Sequence, residues 1–175
     1  MRKAAVFSVL AAAVLVFSFL FFFPGPIVAR LLSRMLGVPA AVEGARWADF
    51  GGLAVERIRI APAQVPEKRL EGVRLEGLPA AVFGSPVRVR IEHLRIGDED
   101  FGQARGRFLW HSGRLVKAQG RIWLSAAGLE RVPKKWRKRL SSTHDGPALG
   151  IAYAAGKIAL RGKNGPILEA AWQPG

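Results

Sequence analysis

Three short stretches of the chain share one pattern of apolar and charged positions. Residues 55–60, 70–75 and 91–96 each read aliphatic, Glu, any residue, aliphatic, Arg, aliphatic. The fourth and sixth positions alternate with a polar residue, which is the period of a half-buried β-strand. The first aliphatic is one residue out of phase, so the pattern predicts a bulge at the same place in each copy. The copies indicate a sheet built from similar units, although amphipathic strands also produce such matches by chance.

The pattern after residue 98 is typical of β-hairpins. Residues 107–111 lead through Ser112-Gly113 into residues 115–124, whose side chains alternate between an apolar and a polar face. Residues 150–153, 157–161 and 167–172 are further predicted strands, with a tight turn at Asn164-Gly165. Small residues leave one face shallow, either as a groove for an acyl chain or for close packing against a helix. These are Ala104, Gly106, Ala118, Gly120, Ala152, Ala154, Ala159 and Ala170.

Residues 4–23 carry no charged side chain and predict a transmembrane helix. At ~1.5 Å per residue this run crosses the ~30 Å hydrocarbon core of a bilayer. The alternative is a cleaved signal peptide, but the run exceeds the ~7–15 residues of a signal core and does not end in small residues. We therefore expect a signal anchor over residues 1–25. The flanking charges are nearly balanced, and the short tail before the anchor favours a cytoplasmic amino terminus.

A short amphipathic helix is predicted next, over residues 26–36. Pro26 suits its first position and Gly37 suits the cap beyond its end. Its apolar stripe either lies on the membrane surface, with Arg30 and Arg34 at the interface, or packs on the following domain. Residues 26–40 are then an interfacial helix and linker, and residues 41–175 form a β-rich domain, with strand repeats over 41–97 and hairpins over 98–175.

The charge of the chain indicates an anionic partner. The net charge is +14, and only two of the 27 basic residues precede the anchor. A basic domain near a bilayer is attracted to anionic phospholipids, and nucleic acid is the competing polyanion. The absence of cysteine excludes disulfides and fits an exported domain as well as a cytoplasmic one.

One segment, near residues 129–140, departs from the β pattern. Leu129, Val132, Trp136 and Leu140 recur at helical spacing, and Pro133 suits the start of a helix. The segment predicts one short basic amphipathic helix that contacts lipid head groups, an acidic partner or phosphates. The alternative is a solvated charged face that covers the end of the sheet. The candidate contact residues are Arg131, Lys134, Lys135, Trp136, Arg137, Lys138 and Arg139.

The sequence does not predict catalysis. His93, His111 and His144 lack the spacing of metal ligands. His144 and Asp145 follow two serines, but a catalytic triad is assembled across a fold and not along a sequence. We therefore predict no catalytic residue, no metal site, no cofactor and no enzymatic activity.

Two families resemble parts of this chain. The anchor, the helix that ends at Leu36-Gly37, residues 53–60 and residues 94–96 resemble the start of AsmA/TamB-like proteins. Residues 120–124, 129–140, 156–162 and 165–172 are similar to the type II secretion protein N group, the GspN-like proteins. The patterns are aliphatic alternation with glycines and include no invariant catalytic motif.

The resemblance implies a mainly β protein of the Gram-negative envelope, with an antiparallel sheet that curls into a groove or half-barrel. It implies a single-pass inner-membrane protein with a periplasmic carboxy-terminal domain, acting in envelope biogenesis, lipid handling or type II secretion as an accessory or scaffold. Its expected partners are anionic phospholipid and an envelope or secretion-system protein. At ~3.3 Å per residue a strand of this domain is too short to cross the periplasm alone. The alternative is a cytoplasmic basic domain that binds nucleic acid or an acidic protein.

Overall fold

The computed structural model describes residues 24–48, 51–61, 67–81, 84–111 and 114–171. The predicted transmembrane segment, residues 4–23, lies outside these ranges. Within them, no helix is both long and apolar enough to span a bilayer.

The described chain is mainly β, as predicted, and forms an open antiparallel sheet of eleven strands. The first part contains α1 (Pro24–Leu36), β1 (Ala40–Glu43), β2 (Arg46–Ala48), β3 (Gly52–Ile60), β4 (Lys68–Glu76), α2 (Leu78–Ala81) and β5 (Val87–Ile96). The second part contains β6 (Glu99–His111), β7 (Arg114–Leu124), α3 (Ala126–Arg131), α4 (Lys134–Arg137), β8 (Ser141–Thr143), β9 (Gly146–Ala154), β10 (Lys157–Gly162) and β11 (Gly165–Ala171). The spatial order is β1-β3-β4-β5-β6-β7-β9-β10-β11, with β2 beside β3 and β8 beside β9. Consecutive strands are therefore neighbours in most of the sheet, and the predicted hairpins are confirmed. The tight turn between β10 and β11 is Lys163-Asn164 and not Asn164-Gly165, because Gly165 already pairs with Gly162.

The repeated sequence pattern coincides with a line of irregular pairing across the sheet. Val55 and Ile58, three residues apart on β3, are both buried in one apolar cluster. The pairing between β3 and β4 skips Glu56 opposite Gly72, and the pairing between β4 and β5 skips Gly72 opposite Glu92. The register is the same before and after the skipped residues, because in each pair both strands are irregular at directly opposed positions. The predicted phase change is thus present, but in β3 and β4 it is a matched pair of kinks and not a bulge in one strand.

The main apolar cluster lies on one face of β3 and β4 and is covered by α1. Its buried members are Leu53, Val55, Ile58 and Val73. Val28 and Leu32 of α1 pack against them, whereas Arg30 and Arg34 on the same helix are exposed. Of the two interpretations of the apolar stripe, packing on the domain is therefore the one that these contacts support.

The basic segment forms two short helices, so the prediction of one helix near residues 129–140 is wrong. The helix α3 begins earlier, where the Ser125 hydroxyl accepts a hydrogen bond from the backbone of Gly128. It ends at Val132, which is extended with ψ 128° because a residue before proline disfavours the helical conformation. Pro133 then precedes the single turn of α4.

The small residues of the second half divide between the two faces of the sheet. Gly106 pairs with Gly120 and Ala104 with Ile122, on the face that also carries Phe108. Ala152 instead pairs with Gln119, on the opposite, polar face. The prediction that these small residues make a single face shallow is therefore wrong, because Ala152 of β9 pairs with a polar position of β7 and not with one of its small residues.

Candidate functional site

Arginines occupy directly opposed positions on neighbouring strands of the sheet. Arg74 of β4 pairs with Arg90 of β5, Arg90 pairs with Arg105 of β6, and Arg105 pairs with Arg121 of β7. Beyond β7, Gly150 of β9 stands between Arg121 and Arg161 of β10. Opposed residues in a sheet have Cβ atoms about 5 Å apart, and opposed like charges destabilise the sheet. This row of like charges therefore has an energetic cost.

A second, shorter row runs beside the first. Arg88 of β5 pairs with Arg107 of β6, and Arg107 pairs with Gln119 of β7. Glu76 of β4 faces Arg88 at the outer end of this row. The two rows together define the arginine face: Arg74, Arg88, Arg90, Arg105, Arg107, Arg121 and Arg161.

The arginine face lies on the side of the sheet opposite the main apolar cluster. Arg74 follows the buried Val73, and Arg88 follows the buried Val87, so alternation directs both arginines away from that cluster. All seven side chains are exposed. Among the described residues, none of the seven has a carboxylate within 4.0 Å.

Beyond the irregular line, the arginines on this same face of the sheet have acidic partners. Glu71 lies between two arginines, 3.5 Å from Arg57 and 3.4 Å from Arg95. Arg69 lies 2.8 Å from Asp98, and Arg57 also contacts Glu43 at 3.2 Å. The lack of acidic partners is thus a property of the arginine face and not of every basic residue on this side.

Two neighbours hold arginines of this face in position without removing their charge. The guanidinium of Arg105 lies 5.3 Å from the ring centroid of Trp123, within the range of a cation–π contact. The Trp123 indole Nε1 donates to Thr143 Oγ1 at 3.1 Å, which fixes the ring. With the Gln119 amide in the orientation that satisfies its partners, its oxygen accepts from Arg107 at 2.5 and 2.7 Å.

A cavity of about 530 Å³ opens on the arginine face. Five of the seven arginines line it, together with Gln119, Trp123 and the backbone of three glycines. No Asp or Glu is among its lining residues. Most of this cavity is open to solvent, so it is shallower than an enclosed ligand pocket, and its positive charge favours an anion.

Three arginines of the predicted basic segment are engaged within the fold. Arg131 makes a bidentate pair with Glu99 at 2.8 to 3.1 Å. Arg137 donates to the backbone oxygens of Val132 and Glu130, and Arg139 donates to that of Pro166. Lys134, Lys135 and Lys138 are exposed, and Trp136 is half-buried. The segment therefore presents three free lysines, and its arginines tie it to the sheet.

The arginine face was not among the candidate residues from the sequence. Its only local signals are the alternating arginines at residues 88 and 90 and at residues 105 and 107. The complete row depends on the pairing of β4, β5, β6, β7, β9 and β10, which the sequence does not supply.

The described ranges do not support chemistry that depends on a metal ion. There, no group of three or more His, Asp or Glu side chains is placed to hold a metal ion. Comparison with known family models, curated proteins and solved structures found no match to this chain.

Proposed function

We propose that this protein is a non-enzymatic, membrane-tethered module of the bacterial envelope that binds anionic phospholipid head groups on its arginine face. The observation that carries the proposal is the row of opposed arginines without acidic partners. Repulsion along the row is relieved when an anion lies between the guanidinium groups. The ligand then contributes the negative charge that the fold does not provide.

The predicted anchor places such a face near lipid. In the proposed arrangement residues 4–23 span the inner membrane and the sheet lies in the periplasm. Helix α1 follows the anchor directly, and its Val28 and Leu32 pack into the main apolar cluster. This packing supports a sheet that is held close to the bilayer and not on a long flexible linker.

The cellular role that we propose is lipid handling in envelope biogenesis, or an accessory or scaffold role in type II secretion. The resemblance to AsmA/TamB-like and GspN-like proteins motivates this part. An open sheet that curves into a groove around the cavity is the geometry that we propose for it. The lysines Lys134, Lys135 and Lys138 supply a second, weaker contact to lipid head groups, since each favourably placed cation contributes about 1 kcal/mol.

The test compares two triple variants of the full chain in detergent. The first, Arg105→Gln with Arg121→Gln and Arg161→Gln, removes three charges from the arginine face. The control, Arg57→Gln with Arg59→Gln and Arg95→Gln, removes three charges from the neutralised region of the same side. Binding is measured by calorimetry with short-chain phosphatidylglycerol and phosphatidylcholine, both of which are soluble.

We expect the first variant to lose at least about tenfold in affinity for phosphatidylglycerol, since each charge-assisted hydrogen bond contributes about 1.5–3 kcal/mol. We expect the control to change affinity by less than about threefold, because its three arginines act on the ligand only through long-range charge, which salt screens. Equal losses of affinity in both variants would show that the arginine face attracts the lipid only through its net charge. Preferential binding of an oligonucleotide over the anionic lipid would favour the nucleic-acid alternative instead.

A further inference from the structure

We propose that the arginine face contains one phosphate subsite, above Gly150 between Arg121 and Arg161, that is specific for phosphomonoesters. This inference rests on the proposed function, because it names the chemical group that the same face recognises. It adds the position of the bound phosphate and a preference for one class of phosphate ester, and neither follows from general attraction between charges.

The position follows from the register of three strands. Arg121 of β7 and Arg161 of β10 are both directly opposite Gly150 of β9. Neighbouring strands lie about 4.8 Å apart, so the two arginine backbones are separated by about 10 Å. Gly150 occupies the one place in the row where a side chain is missing, and the gap has an arginine on each side.

The backbone conformation of Gly150 does not explain why this residue is glycine. Gly150 is not among the glycines with positive φ, so its conformation is one that other residues adopt. A Cβ at this position would lie 3.3 Å from the Cβ of Arg161 and would enter the cavity. Glycine within a strand weakens it and often marks a place where a ligand approaches the backbone. The gap therefore keeps the floor of the cavity open between two cations.

The number of guanidinium groups favours a monoester. Arg105 is opposite Arg121 on the next strand and is held over the ring of Trp123. The two guanidinium groups that flank the gap can each form two parallel hydrogen bonds with a phosphate, and Arg105, on the far side of Arg121, adds positive charge. A phosphodiester has only two terminal oxygens and one negative charge, whereas a monoester carries about −1.5 to −2 at neutral pH.

The cavity also has room for what the phosphate is attached to. Its volume of about 530 Å³ exceeds that of a single phosphate. Gln119 lines the remainder and offers a polar contact to hydroxyl groups, beside the paired backbone of Gly106 and Gly120. The shared chemistry is a phosphomonoester on a small polyol, carried either by a lipid or by a soluble sugar phosphate.

The test keeps every charge and fills the gap. Gly150→Ala and Gly150→Val place one and three carbons above the backbone between the arginines. Ala154→Val is the matched control, since residue 154 lies on the same strand and the same side and does not line the cavity. The ligands are short-chain phosphatidic acid, a monoester, short-chain phosphatidylglycerol, a diester, and glycerol 3-phosphate, a soluble monoester.

We expect the unchanged protein to bind phosphatidic acid about tenfold more tightly than phosphatidylglycerol, since an additional charge-assisted contact has about that effect. Gly150→Val removes this preference, Gly150→Ala reduces it, and Ala154→Val retains it. The ratio of the two affinities is read in each variant, so a partly unfolded sample does not change the result. Equal binding of glycerol 3-phosphate and phosphatidic acid indicates a soluble source, and tighter binding of phosphatidic acid indicates a lipid source; both support the subsite.

Two results would overturn the subsite. One is equal affinity of the unchanged protein for monoester and diester, and the other is full retention of the preference in Gly150→Val. Either result leaves the proposed function standing if the arginine triple variant still loses affinity for phosphatidylglycerol. If that triple variant binds normally, the proposed function itself fails.

Discussion

The glutamates of the repeated pattern cover glycines at the kinks of the sheet. Gly72 has a φ of +62°, and a Cβ there would meet the side chain of Glu92 at 2.5 Å. Gly44 has a φ of +63° and lies under Glu56 in the same way. Left-handed backbone favours glycine because a side chain costs roughly 1–2 kcal/mol there. The geometry of the kinks therefore explains Glu56 and Glu92, whereas Glu71 pairs with Arg57 and Arg95.

Ala155 adopts the same left-handed region without being glycine. Its φ is +50°, and with Gly156 at +75° it forms the two-residue turn between β9 and β10. Turns with positive φ at both positions favour Asn-Gly. Replacement of Ala155 by Asn is expected to raise the free energy of unfolding by roughly 1 kcal/mol.

Urea unfolding followed by tryptophan fluorescence measures this effect. Ala154→Asn is the control, because residue 154 precedes the turn and does not have positive φ. A destabilised Ala155→Asn protein would contradict the turn geometry.

At the scale of elements, α3 is held to the sheet by Ser125, the residue that caps its start. The Ser125 hydroxyl accepts from the Gly128 backbone at 3.0 Å and donates to the backbone oxygen of Asp100. The Asp100 carboxylate in turn accepts from the Gly102 backbone at 2.9 Å. These contacts join the start of α3 to β6, the strand that carries Arg105 and Arg107.

Replacement of Ser125 by Ala is expected to lower the free energy of unfolding by about 1 kcal/mol, and by up to about 2 kcal/mol, through loss of the helix cap. The measurement is thermal unfolding by circular dichroism in detergent. Ser142→Ala, at an exposed position of β8, serves as control and should change stability by less than about 0.5 kcal/mol. Equal effects of the two substitutions would show that the cap contributes nothing.

At the scale of the whole molecule, the proposed function requires the sheet to lie outside the cytoplasm. A reporter that is active in only one compartment, fused after Gly175, measures this directly. We expect a periplasmic signal, because the short amino-terminal tail before a long apolar run is typical of a signal anchor. A cytoplasmic signal would exclude the envelope role and would direct attention to nucleic acid and acidic proteins.

The elements were more predictable than the site. Period-two alternation located most strands and Gly37 located the end of α1, since these signals are local, whereas the helix is already present at Pro24, two residues before Pro26. The basic segment departs from the prediction of one helix because Pro133 keeps Val132 in an extended conformation. The arginine face was not predicted, because opposition of Arg74, Arg90, Arg105 and Arg121 is a property of register between strands far apart in sequence.

An open sheet leaves both ends of the arginine row unobstructed, whereas a closed barrel joins such a row into a ring. The row runs from β4 to β10 across five strand spacings, or about 24 Å. A flexible chain of phosphates laid across the strands gains contacts with each added unit until it reaches this length, and then gains nothing more. The length of the row therefore sets the longest chain of phosphates that it can contact, and affinity is expected to stop rising at that length.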